Sequence, residues 1–286
     1  MKNLSLLRSA VVMLWLPVVV LAAVFISSSV NASFYLPSLA TSLHAMWTGL
    51  ESGTLMADLW YSLGNLLAGL AIAIVVGVSI GLVIGERPLL RQATAPLLDF
   101  ARATPTVAFI PVIIITLGIG SPPKIFLIFL GTLWPILLNT IAGVASISPA
   151  ILETARSYRI PFRLRFLKVV LPGAAPLIFA GVRIALAVGV ILMVVSEIYG
   201  SAIGLGSFIL QSGSSFRVAD TWGGTILIGI VGYVLSVLLV WGEYLTLGWY
   251  FQRAPKTGLR AEPRAQPSSP AKPASELSIS QSKGTP

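Results

Sequence analysis

The sequence predicts an all-α membrane protein with six transmembrane helices, and three observations carry that prediction. Charged residues make up only 10% of the 286 residues and hydrophobic ones 56%, whereas a soluble domain is roughly 25% charged. The apolar residues gather in runs of spanning length. The Lys and Arg residues fall in the gaps between those runs, mostly on one side of the implied membrane, as the positive-inside rule requires. The net charge of +9 is therefore read as topology and not as a nucleic-acid surface. The chain has no cysteine, which removes disulfides and thiolate ligands.

Taken in order, Lys2 and Arg8 precede an apolar run from about Ala10 to Val30, enough for one span. A cleavable signal peptide is the competing reading, because Val30-Asn31-Ala32 resembles a small-residue cleavage site. The length of the run and the spans after it favour a retained helix. Asn31 to Leu59 contains His44, Glu51 and Asp58 but no Lys or Arg, and reads as an outer loop with a short helix near Leu39 to Leu50. Residues 1–59 are thus an N-terminal span and outer loop, and residues 60–250 a transmembrane core.

The second span runs from Trp60 to Gly85, with Trp60 and Tyr61 at the headgroup level. Gly69, Ala73, Gly77, Gly81 and Gly85 recur every four residues along it. Such a ridge lets another helix approach backbone to backbone. Glu86 to Pro105 is a polar, basic connection. The third span, Thr106 to Gly120, is shorter than the ~20 residues of a straight crossing and is interrupted by Pro111. Short, broken spans belong inside a bundle near a pathway, where their free backbone groups find partners. The fourth span, Lys124 to Ser146, should kink at Pro135, and Asn139 should bond to a neighbouring helix.

The fifth span runs from Leu177 to Gly200, with a second ridge at Gly181, Ala185 and Gly189 and with Glu197 near its outer end. A polar outer loop, Ser201 to Thr221, leads to the sixth span, Trp222 to Tyr250, which carries Trp241, Trp249 and Tyr250 toward its inner end. From Phe251 onward Pro, Ser, Ala and Lys dominate, so residues 251–286 are predicted to be a disordered tail. With the N-terminus in the cytoplasm, sixteen Lys and Arg lie inside and only Lys124 and Arg217 outside. Arg183, in the inner part of the fifth span, is expected to reach the headgroups. The bias favours six spans with both termini cytoplasmic.

One stretch does not fit a simple connection. Ile151 to Pro176 holds five of the nineteen Lys and Arg residues between very apolar flanks, so it lies in water at the inner face. Leu152 to Tyr158 forms a short helix, with Ser148 as cap and Pro149 in its first turn. Pro161 drives Ile160 to an extended conformation. Phe162 to Val170 forms a second helix, with Phe162, Phe166 and Leu167 on one side and Arg163, Arg165 and Lys168 around the rest. Such a pair is either a docking element for a partner protein or a basic loop resting on anionic lipid.

The segment resembles the EAA loop of bacterial ATP-binding-cassette importer permeases. The family's pattern is Glu-Ala-Ala, three residues, Gly, nine residues, Ile, one residue, Leu-Pro. This chain matches at Glu153, Ala155, Leu171 and Pro172 with the spacing intact, and has Thr154 for the second Ala, Val169 for Ile and Arg159 for Gly. A non-Gly residue with positive φ is disfavoured, so Pro161 is expected to set a different turn here. E-T-A-R-S-Y, K-V-V-L-P-G-A-A-P-L-I-F-A-G-V-R-I-A-L, V-V-S-E-I-Y-G with its following G-L-G, and Asp99 to Gly120 are similar to the nitrate, sulfonate and taurine branch.

The resemblance implies a type I importer permease: a six-helix subunit with a cytoplasmic coupling helix that docks on a separate ATPase. It implies a periplasmic or lipid-anchored substrate-binding protein and a second permease copy, forming a homodimer in the bilayer. The chain has no G-x-x-x-x-G-K-[ST] phosphate loop, so ATP and Mg belong to the partner and this subunit is not an enzyme. The coupling residues implied are Glu153, Ala155, Arg156, Arg159, Leu171 and Pro172. Gly77, Gly81, Gly85, Gly181 and Gly189 are the packing positions. Glu197 and Asn139, polar at membrane depth, are the pathway or gate candidates. A secondary transporter driven by an ion gradient is the alternative, disfavoured by the absence of a convincing internal repeat and by the few membrane-buried charges for ion coupling. A membrane enzyme would need clustered catalytic side chains, and the chain offers scattered singles.

Overall fold

A computed structural model describes residues 34–253. The first apolar run and its cleavage, the predicted tail beyond residue 253, and the side chains of Arg156, Trp249 and Tyr250 lie outside the described residues. Nine helices follow in order, with no strand among the described residues: α1 Leu39–Glu51, α2 Thr54–Gly85, α3 Pro88–Ala103, α4 Ile110–Leu117, α5 Ser121–Ala145, α6 Pro149–Ser157, α7 Phe162–Gly200, α8 Leu205–Ser214 and α9 Val218–Arg253. One compact unit runs to Gly248; within α9 Leu247 departs from helical φ and ψ, and of the residues after Gly248 only 249–253 are described.

Four of these helices, α2, α5, α7 and α9, are long and apolar enough to cross a membrane. The 32 residues of α2 extend about 48 Å at 1.5 Å per residue, more than the ~30 Å hydrocarbon core. It begins at Thr54, one and a half turns before the span read from sequence, because Gly53 takes a left-handed φ of 79° and starts the helix there.

The core is a three-helix stack with α5 at its centre. A Cβ at Gly69 would meet Ile128, one at Gly77 would meet Ile136, one at Gly81 would meet Thr140, and one at Gly85 would meet Val144, all within 3.0 Å. The register is constant, so α2 and α5 run parallel, their backbones drawn together along the whole ridge. On the other side α7 runs antiparallel to α5: Gly143 meets Ala174, and Gly181 meets Asn139 and the Pro135 carbonyl. Gly189 packs on Leu66 and Thr132. The predicted ridges therefore serve packing within one chain.

Parallel α2 and α5 require residues 86–120 to return across the bundle. The polar connection read from sequence is a helix, α3, started by Pro88 at its first turn and bearing no buried residue. Leu90 and Leu98 pack by Trp134, beside buried Leu137 and Ile141, while Leu89, Leu97 and Phe100 are exposed. A 3-10 turn, Thr106–Phe109, leads into the eight-residue α4. The two arms meet at 75°, where Pro105 interrupts the helical ladder. The third crossing is thus a bent pair and not one short span.

Other departures have local causes. The second helix predicted at Phe162 to Val170 is the start of the fifth span, which reads through a π turn at Phe166–Val170 into Leu171–Gly200. Pro172 lacks an N–H and its ring crowds the preceding turn, which favours the wider turn there. The outer loop after Gly200 contains α8. Helix α5 continues through Pro135, and Asn139 Nδ2 donates 2.8 Å to the Pro135 carbonyl of its own helix, not to a neighbour. Arg183 pairs with Glu243 of α9.

Candidate functional site

The bundle has a basic end, where α2 stops and α7 starts, and a far end. At the basic end α6 stands as a separate helix between two spans. Its first bonds run from the Ile151 and Leu152 amides to the Ser148 carbonyl, 3.0 and 3.4 Å. Ala155 is buried, and Leu152 packs against the cluster of Val144, Val170 and Ala174. Ile151, Glu153 and Tyr158 face outward. Across the turn Phe162, Leu164 and Leu167 add exposed apolar surface, so the helix is fixed from beneath and open above. Glu153 makes no ion pair among the described side chains. Leu171 and Pro172 lie just past the π turn, at the start of the straight part of α7.

Arg159 resolves the question raised by the missing glycine. It takes φ of 51° itself, the left-handed conformation that the glycine of the family pattern would supply. The Ile160 amide donates 3.1 Å to the Ala155 carbonyl and the Tyr158 amide 3.0 Å to that of Thr154. The longer bond is the six-to-one closure of a Schellman motif with Arg159 at the C′ position. Pro161 does not reroute the turn; Arg159 carries the strain. An Arg159→Gly substitution is expected to stabilise the end of α6 by about 1 kcal/mol, the left-handed penalty less the glycine entropy cost. Hydrogen exchange at the Tyr158 and Ile160 amides checks it and should slow about fivefold.

The far end holds a buried polar cluster that sequence reasoning largely missed. Glu197 is fully buried and does not reach the interface. Its Oε2 accepts 2.9 Å from the Gly206 amide. Asp58 Oδ1 accepts 2.7 Å from the Gly204 amide and Ser62 Oγ 2.9 Å from that of Leu205. Three consecutive N–H groups entering α8 are thus satisfied from α2 and α7, and two of the acceptors are carboxylates suited to a helix N-terminus. Gly204 has φ of 122°, and a Cβ there would lie 2.5 Å from the Glu197 carboxyl carbon, so only glycine fits.

Lys124, counted on the outer side, is buried at 2% exposure. Its Nζ donates to the Tyr61 hydroxyl at 2.8 Å and the Ser201 hydroxyl at 2.9 Å, and sits 4.8 Å from the Tyr61 ring centroid. The one legible signal was the glycine pair around Leu205, which marks close approach. Asn139 is half-buried over Gly181, far along the bundle from this cluster; the structure does not bring the two gate candidates together. His44 is exposed on α1.

A family described as "binding-protein-dependent transport system inner membrane component" matches residues 69–245. The chain belongs to this permease family. The permease is 34% identical over 189 residues to the bicarbonate transport system permease protein CmpB of Synechocystis sp., covering 66% of this chain and 67% of that one. It is 31% identical over 191 residues to the nitrate import permease protein NrtB of Leptolyngbya laminosa, covering 66% and 68%. It is 32% identical over 190 residues to the taurine transport system permease protein TauC of Escherichia coli, covering 66% and 69%. Among solved structures, an inward-facing MetNI methionine ABC transporter superposes with a TM-score of 0.55 at 21% identity, over 68% of this chain and 95% of that one. An amino acid ABC transporter gives 0.54 at 14% identity, over 71% and 97%. These two show the fold, and the family-matched region contains α6 and both glycine ridges.

Proposed function

We propose that this permease carries a small anion, of the bicarbonate, nitrate or sulfonate class, across the bacterial inner membrane. A periplasmic or lipid-anchored binding protein delivers the anion at the far end. A separate ATPase, which binds ATP and Mg, docks on α6 at the basic end. The observation that carries the reading is α6: a lone helix seated on the core by Ala155 and Leu152 and open at Ile151, Glu153 and Tyr158. The printed functions of the relatives support the substrate class, and the bias of Lys and Arg supports cytoplasmic termini and a cytoplasmic basic end.

In this reading two copies pair around the pathway. ATP-driven closure of the ATPase pair draws the two α6 helices together and favours an outward-open arrangement; release after hydrolysis restores the inward-open one. Glu197 acts as a helix-pairing group that holds the start of α8 and not as a ligand of the anion, since a buried carboxylate repels an anion; Asn139 serves the packing of α5 over Gly181.

The test is co-purification with the ATPase subunits and uptake in proteoliposomes. Wild-type protein should retain the ATPase and take up one of bicarbonate, nitrate or taurine. Tyr158→Asp, at a site 79% exposed, should release the ATPase and cut uptake by more than about tenfold while the permease keeps its melting temperature. Wild-type protein that holds no ATPase, or uptake that stops when the ion gradient collapses while ATP stays high, sinks the proposal.

A further inference from the structure

At the basic end a cavity of about 300 Å³ opens between the end of α2, α6 and the first turns of α7. Glu86, Arg91, Glu153 and Arg165 line it, beside Val144 and Val170. Arg165 Nη2 stands 4.0 Å from Glu86 Oε2, with the two side chains 22% and 20% exposed. Glu86 Oε1 and Arg165 Nε are buried and have no protein partner among the described residues. A guanidinium and a carboxylate pair best through two parallel hydrogen bonds of ~2.8 Å. At 4.0 Å this pair is open, and the groups left over are costly where they are.

The two ends of the pair belong to different bodies. Glu86 caps α2, directly after the Gly85 that is locked against Val144. Arg165 is the last residue before the π turn, a wider turn that can yield locally without unfolding the helix. Its guanidinium also lies 5.5 Å from the ring centroid of Phe162, and that ring is 60% exposed on the surface beside α6. Arg165 thus connects the exposed Phe162 ring beside α6 to the end of α2, on the N-terminal side of the π turn.

We infer that Glu86 and Arg165 are the positioning pair through which motion of the docking element reaches the core. The pair closes when α6 is driven inward and opens when it is released, so its two states follow the two states of the partner. The inference rests on the docking reading above, and adds to it where the push enters the bundle: at the end of α2, through a charge pair, and not through the helix contacts of α7 alone.

The experiment uses the permease reconstituted with its ATPase subunits. It compares ATP turnover with and without the system's binding protein, in bicarbonate, nitrate and taurine together. Glu86→Gln and Arg165→Gln should each retain the ATPase and lose about tenfold of the stimulation by the binding protein, the size of a typical coupling term. Arg165→Lys, which keeps the charge without the fork, should lose less. The exchanged pair Glu86→Arg with Arg165→Glu should recover most of the stimulation, the signature of direct coupling. Single variants that keep full stimulation overturn the inference while leaving the docking reading intact. So does an exchanged pair that recovers nothing although Arg165→Lys does. Wild-type protein that binds no ATPase removes the docking reading, and the relay with it.

Discussion

Gly181→Leu is expected to destroy the folded permease, whereas Gly64→Leu, one helix away, should be tolerated. A Cβ at Gly181 lies 2.8 Å from the Pro135 carbonyl and 2.8 Å from Asn139 Cβ, with Ile136 Cα at 3.3 Å. Two of these three atoms are backbone, so no side chain can rotate to make room. Helices α5 and α7 would have to part, and α5 is also held by the α2 ridge on its other side. Overpacking at one such site costs about 3 kcal/mol, a large share of the stability of a domain. Gly64 has nothing within 4 Å, and leucine there replaces a poor helix former on an exposed face, so the change should stay within about 0.5 kcal/mol. Size-exclusion profiles in detergent decide it. A monodisperse Gly181→Leu protein with an unchanged melting temperature would show that α5 and α7 are not in backbone contact.

The second large effect is expected at the far end. Glu197→Ala removes the acceptor of the Gly206 amide and empties a fully buried site. The orphaned N–H and the lost packing together cost about 3 kcal/mol. Lys124 meanwhile remains buried between Tyr61 and Ser201 with less opposite charge nearby. Glu197→Gln keeps an acceptor oxygen for Gly206 and should cost less than half as much. Melting temperature and hydrogen exchange at residues 204–206 separate the two. Equal losses for Ala and Gln would mean that charge, not the hydrogen bond, holds α8.

Why some of this was legible and some was not follows from the physics of each signal. The glycine ridges could be read because close helix contact leaves a strict mark, a small residue every fourth position. The helix α6 could be read because Ser148, Pro149 and Pro161 are local stop and start signals, and local signals need no partner. By contrast, the bent third crossing was split between a polar stretch and an apolar one. Only the parallel register of Gly69 to Gly85 against Ile128 to Val144 requires the two to be one crossing. Arg159 was misjudged for a related reason. A residue's own preference forbids positive φ weakly, by about 1 kcal/mol, and the hydrogen bonds closing α6 outweigh it.

What the sequence by itself determined is the class of the protein: composition and charge bias set an all-helical membrane subunit, and the spacing from Glu153 to Pro172 set its family. Those are properties of the chain against solvent or against its own local ladder, so they survive without coordinates. The tertiary structure alone decided who meets whom. Lys124 is buried with Tyr61 and Ser201, Glu197 and Asp58 hold the start of α8, Arg183 joins Glu243, and Arg165 faces Glu86. Each of these joins residues far apart in sequence or converts an exposed-looking charge into a buried one. No local pattern encodes such a meeting, because the energy of a charge depends on what surrounds it, and that is fixed only when the helices pack.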